Sequence, residues 1–254
     1  MTTTTADTTW TDGKRYLWLL SPMLPVLGLL ILLAYQLTGI QALLWGGPAL
    51  IFVIIPALDR LIGTDNNNPP ESMVNELESD TYYRFIVYAY IPTQFIVTIW
   101  GAVIAVSGDL TAFGYIGLVL SVGAINGIAI NTAHELSHKR DEFGRWMAKL
   151  TLAPVAYGHF YAEHVRGHHK NVATPDDPAS SRMGETFWAF LPRTMIGSVR
   201  SAWKIEGERL NRQNKSVWSL SNDNLQAWAL TIIFFGALTA VLGWWALPFL
   251  ALQA

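Results

Sequence analysis

The chain has 254 residues, 51% of them hydrophobic and only 14% charged, with 11 tryptophans. That composition is too apolar and too aromatic for an ordinary soluble domain of this length and points to a polytopic membrane protein. The net charge of −2 argues neither for nor against a charged partner, and the absence of cysteine excludes disulfides, thiolate-ligated haem, iron–sulfur clusters held by this chain and cysteine-type zinc sites. Any metal here must be held by His, Asp or Glu.

Residues 1–15, MTTTTADTTWTDGKR, are polar and lack the short apolar core of a signal peptide, so they read as a cytosolic-type tail. Apolar runs at 16–36 and 40–58 each supply the ~20 residues that a bilayer core requires and form a hairpin around Thr38 and Gly39. The acidic stretch DRLIGTDNNNPPESMVNELESD cannot continue a helix through its Asn and Pro runs and forms an extramembrane loop. A third span covers 82–106, and a fourth runs from Ala112 into His134 and His138. Residues 139–224 are polar on balance, and TMIGSVRSAWKIEGERL within them mixes apolar and charged residues at helical spacing, which predicts an interfacial helix. A fifth span covers 225–243, and 244–254 begin a sixth. A helix stopping in mid-bilayer would leave backbone groups unpaired at several kcal/mol each, so the apolar end LPFLALQA predicts that the chain is a piece of a longer protein.

The expected fold is therefore all-α: a transmembrane helix bundle of six-span type, its sixth span incomplete. The tail is 1–15, helices one to four occupy 16–138, a cytoplasmic segment covers 139–224, and 225–254 hold helix five and the start of helix six. Under this assignment all 17 basic residues fall on one side of the membrane. Because positively charged short loops stay inside, the N-terminus and the end of the fourth helix are expected to be cytoplasmic, in a multi-pass inner membrane protein.

In NTAHELSHKR, His134 and His138 stand four apart at the end of the fourth span, on one helix face, so both imidazoles can converge on a cation. Some 25 residues on, YGHFYAEHVRGHHK places His164 and His168 four apart again, with His169 alongside. Five imidazoles packed near a membrane without a metal would leave many polar atoms to satisfy. An isolated histidine is ordinarily structural, and His159 is assigned to packing or to supporting the ligands. Phosphate or lipid-headgroup binding accounts for Arg166 and Lys170. HELSH also fits the zinc-protease pattern HExxH, with Glu135 activating water, but five histidines exceed what one zinc uses and point to two metals. Asn126, Asn131, Glu135, Glu163, Asp176 and Asp177 are the polar residues placed to orient an imidazole.

These same stretches, HELSHK and EHVRGHHKNVATPDDPASSRMGE, resemble the first two histidine boxes of the membrane alkane 1-monooxygenases, within the wider membrane desaturase and hydroxylase superfamily. The likeness extends to KRYLWLLSP, DNNNPPE, NGIAINTAHELSHK, RWMAKL, FLPRTMIGSVRSAWKIEGERL and KSVWS, and so covers nearly the whole chain. The family's EHYG-type segment and third box, of the form RHSDHH, have no counterpart among the 254 residues. The resemblance implies two non-haem irons on His134, His138, His164, His168 and His169, and hydroxylation by O2 of the terminal methyl of a medium-chain alkane drawn from the bilayer. It implies rubredoxin as electron donor, with Arg193, Arg200, Lys204 and Arg209 on the basic face as candidates to receive it. No haem, bound nucleotide cofactor or nucleic-acid partner is expected. Imidazole by itself suits Fe, Zn, Cu and Ni alike. A related desaturase or aromatic-methyl hydroxylase, a membrane zinc metalloprotease and a metal transporter remain as alternatives, although a transporter would be expected to carry ionisable groups in mid-membrane.

Overall fold

The computed structural model describes residues 10–65 and 67–254. Among them there is helix and no strand, and five helices are long and apolar enough to cross a membrane: α1 (Arg15–Thr38), α2 (Gln41–Ile62), α3 (Thr81–Val106), α4 (Ala112–Ser137) and a later one, Asp223–Leu242. The protein is a multi-pass helical membrane protein. Its residues divide into two compact units, the first ending at Ile125 and the second beginning at Asn126.

In the first unit α1 ends where Gly39 takes a left-handed conformation, φ 71°, which no residue with a Cβ adopts as easily. The chain then turns directly into α2. Gly47 of α2 lies so close to α4 that a Cβ on it would stand 2.6 Å from the Ser121 backbone. The Gly47 N–H donates to the Ser121 hydroxyl (2.9 Å), which donates in turn to the Leu44 carbonyl (2.6 Å). Gln41 closes the same end of the hairpin, donating to the Asp109 carbonyl and accepting from Thr111. Large apolar side chains such as Leu30, Leu33, Phe52 and Val53 stay exposed on α1 and α2, as lipid-facing positions do.

In the second unit, α5 (Glu142–Thr151) is capped by Asp141, whose carboxylate accepts from the Gly144 N–H. Residues 160–171 form one helical run, α6, whose middle is a wider turn, His164–His168, closed by a bond from the His169 N–H to the His164 carbonyl, five residues back. Helix α7 (Phe187–Asn211) starts at a Thr186 cap and buries every fourth residue: Thr194, Ser198, Ala202, Glu206 and Leu210. This is the stripe that one helix face produces. The opposite face of its first half leaves Trp188, Leu191, Met195 and Ile196 exposed. Helix α8 (Asp223–Leu242) is capped by Asn222, and α9 (Ala246–Gln253) follows a left-handed Gly243. Within residues 244–254, expected to begin a sixth span, α9 buries Phe249, Leu250 and Gln253. The Gln253 amide donates to the Pro154 and Leu250 carbonyls and accepts from Asn126, so its polar atoms are matched as burial requires.

Candidate metal centre

Two elements build the cluster. The last turn of α4 presents His134 and His138 one above the other, their rings 4.9 Å apart, as the four-residue spacing dictates. The wide turn of α6 supplies the others. In an α-helix the residue five positions on would point away from its predecessor, but a turn closed by an i→i+5 bond brings it back over. His169 accordingly packs edge-on against His164, ring centroids 4.6 Å apart, while His168 stacks on the same ring at 5.5 Å.

His134, His138, His164 and His169 each offer a ring nitrogen to one small volume, all four lying within 4.8 Å of one another. His164 Nε2 stands 3.0 Å from His169 Nε2 and 3.3 Å from His138 Nε2. Two nitrogens at ~2.1 Å from a shared ion are about 3.0 Å apart at a right angle and about 3.4 Å apart at the tetrahedral angle. The donor set therefore fits a metal. Without one, a single His164 Nε2 would have to satisfy two neighbours with either one proton or one lone pair. Electrostatics point the same way. Burial, and then the neighbouring histidines, push the His164 imidazolium down to about 3, and burial also lowers His138, followed by His134 and His169. Neutral imidazole is the form that binds metal.

His168 stands outside the four. Its Nδ1 meets the fully buried Asp177 carboxylate at 2.9 Å, and Asp177 also accepts from the Ser180 hydroxyl and the Ala179 N–H. Burial raises the Asp177 carboxyl, but those donors outweigh it and hold the group below its ordinary value. An ionised Asp177 fixes the proton on Nδ1 and leaves Nε2 as the free lone pair, the usual way a carboxylate orients a ligand histidine.

The remaining sequence candidates fall as follows. Glu163 is buried, which raises its carboxyl, and accepts weakly from the Ser201 hydroxyl at 3.4 Å. Glu135 is exposed and paired with Lys139 at 2.7 Å, so in this arrangement it is held by a lysine and not poised over water between His134 and His138. Asn131 and Asp176 are exposed. Asn126, read as orienting an imidazole, instead donates to Gln253. His159 is buried against Tyr157, edge-on at 4.4 Å; its Nε2 finds no hydrogen-bond partner among the described residues, and burial pushes it down to about 4. Of the basic candidates, Arg200 and Lys204 are exposed, whereas Arg193 is forked onto Glu185 and Arg209 onto Glu206. Arg166, read as a headgroup ligand, is bound internally to Glu206 and Asp223. The sequence carried no signal for that role, because both partners lie more than 40 residues away or at that separation.

A family model described as fatty acid desaturase matches residues 110–253, which include both histidine clusters. This chain belongs to the fatty acid desaturase family. Within it the chain is similar to the alkane 1-monooxygenase of Acinetobacter baylyi, 46% identical over 96% of this chain and 60% of that protein. It is similar also to alkane 1-monooxygenase 1 of Alcanivorax borkumensis, 44% identical over 96% of this chain and 60% of the relative. The xylene/toluene monooxygenase hydroxylase component XylM of Pseudomonas putida is 35% identical over 47% of this chain and 33% of its own length. The chain thus spans about 60% of the length of these two alkane 1-monooxygenases.

Proposed function

We propose that this protein is an integral-membrane, non-haem di-iron monooxygenase that hydroxylates the terminal methyl of medium-chain alkanes. The observation that carries the reading is the convergence of four histidine nitrogens from two helices, in a chain 42–46% identical to several alkane 1-monooxygenases. His134, His138, His164 and His169 hold metal directly, and His168, oriented by Asp177, offers a fifth nitrogen. Unactivated C–H bonds do not yield to acid–base chemistry; reduced iron with O2 supplies the oxidant. The balance is R–CH3 + O2 + 2 electrons + 2 protons giving R–CH2OH + H2O. Electrons come from rubredoxin, steered by exposed Arg200 and Lys204 on the basic face. The distribution of basic residues supports an inner-membrane orientation with the N-terminus and histidine clusters in the cytoplasm. Substrate arrives from the lipid.

Metal analysis of the purified full-length protein in lipid nanodiscs tests the reading, together with turnover of octane in the presence of rubredoxin, its reductase and NADH. Two irons and 1-octanol are expected. One zinc with peptide-hydrolysing activity would overturn it. Similarity to the xylene/toluene monooxygenase component favours one second reading, hydroxylation of an aromatic methyl, and xylene as competing substrate decides between them.

A further inference from the structure

Arg166 sits inside the wide turn of α6, between the metal-binding candidates His164 and His168. Its guanidinium is only partly exposed, 31% of the side chain, and is turned onto two carboxylates of the protein itself. One Nη donates to Glu206 Oε1 of α7, and the other lies 2.8 Å from Asp223 Oδ2 at the start of α8. Both acceptors are themselves fixed. Glu206 is fully buried and also accepts from Arg209 (Nε 2.8 Å, Nη2 2.7 Å) and from the Asp223 N–H (2.8 Å). Asp223 is paired at 2.6 Å with Lys149 of α5, which is itself buried and donates to Gln226. The Tyr161 ring lies under Lys149 and Arg166, at 5.0 and 5.7 Å.

Rotation about the α6 axis decides which imidazoles converge. Consecutive helical side chains are set ~100° apart, so a slip of one residue would turn His169 away and bring His168 in. Packing already opposes such a slip, because any side chain carried into the place of Gly167 would meet Ile205 and Ser201 of α7. A planar fork gripping two fixed carboxylates adds a polar lock on the same rotation. We propose that Arg166 is a positioning residue for the metal centre: by forking onto Glu206 and Asp223 it locks the rotation of the wide turn, so that His164 and His169 face His134 and His138. This rests on the reading of those histidines as metal ligands.

Charge bookkeeping picks the informative variant. The network holds three cations, Lys149, Arg166 and Arg209, against two anions, Glu206 and Asp223. Removing Arg166 leaves two of each, still paired as Lys149 with Asp223 and Arg209 with Glu206. The scaffold keeps its balance while the turn loses its lock.

The test is a Co2+ titration of the protein in nanodiscs, reading both affinity and the ligand-field spectrum, for the parent, Arg166→Ala, Arg166→Lys and, as a control, Arg84→Ala, which removes an exposed arginine from α3. Arg166→Ala should weaken binding by roughly tenfold or more and change the spectrum. Arg166→Lys, a point charge that cannot fork, should fall between, and added guanidinium ion should restore the Arg166→Ala spectrum. Arg84→Ala should match the parent. Parent-like affinity and spectrum in Arg166→Ala overturn the proposal. If that variant does not fold, Arg166→Lys decides alone: a parent-like spectrum there overturns the proposal, and an altered one supports it. A parent that binds no Co2+ sinks the metal reading first, and the two failures are thereby told apart.

Discussion

Glu206→Gln changes one atom of the ion network without changing its volume, so its cost is electrostatic and carries no cavity contribution. The carboxylate receives four hydrogen bonds: from Arg166 Nη1 and Arg209 Nε at one oxygen, and from Arg209 Nη2 and the Asp223 N–H at the other. A glutamine keeps one oxygen for the first pair but turns an amide NH2 toward the second, setting donor against donor. Leaving a buried donor unmet costs about 1–3 kcal/mol. Arg209 retains some solvent, 22% of its side chain, which reduces its share. A total of about 3 kcal/mol follows, at the lower end of what breaking a buried ion pair costs. At ~2–4 °C per kcal/mol for a chain of this size, Tm should fall by about 6–12 °C. Far-UV circular dichroism of the protein in nanodiscs measures it, with Glu208→Gln on the exposed face of α7 as the matched control, expected within about 0.5 kcal/mol of the parent. If Glu206→Gln melts with Glu208→Gln, the network does not hold these helices together and the reasoning fails.

His159 gives a pH dependence. Its folded imidazole is pushed down to about 4 from an ordinary 6.5, so below pH 6.5 the unfolded chain takes up a proton that the folded one refuses. Stability of the metal-free protein should therefore fall as pH drops from 6.5 to 4, by up to about 3 kcal/mol at 1.36 kcal/mol per unit, and His159→Phe should remove that part of the slope in denaturant titrations. Gly158→Ala should cost more than Gly167→Ala. A Cβ at Gly158 meets Ala227 Cβ at 2.6 Å and its backbone at 3.1 Å, which cannot yield, whereas at Gly167 it meets side-chain atoms of Glu163, Ile205 and Ser201, which can; melting should show about 2–3 kcal/mol against about 1. For orientation, a reporter fused after Asp109 should be read on the periplasmic side and one near Gly184 in the cytoplasm; both on one side would refute the proposed topology.

The spans were legible because a bilayer demands long apolar runs and nothing else in a sequence looks like one. The histidines were legible for an equally local reason, since a spacing of four brings side chains together on a helix face. What separates His169 from His168 was not, because it depends on the i→i+5 closure at His164, and no residue there announces a wide turn. The ion network was hidden by distance. Lys149 and Asp223 are 74 residues apart and Arg166 and Glu206 are 40 apart, so no local spacing pairs them and only the packed helices bring them together. Asn126 is placed equally well to orient an imidazole or to pack between helices, and Gln253, to which it donates, lies 127 residues on.

The four converging side chains are all imidazoles, and a neutral imidazole brings no charge. The nearby carboxylates are held by other groups: Asp177 by His168 and Ser180, Glu135 by Lys139, Glu163 beside Ser201. A divalent cation seated among the four would keep its full double charge in surroundings of low dielectric, and every further positive charge would be costlier there than in water. Such a donor set favours the lower oxidation state of a redox-active metal over the higher one, relative to a set that includes carboxylates. It also makes an anion arriving as an additional ligand more welcome than a neutral molecule.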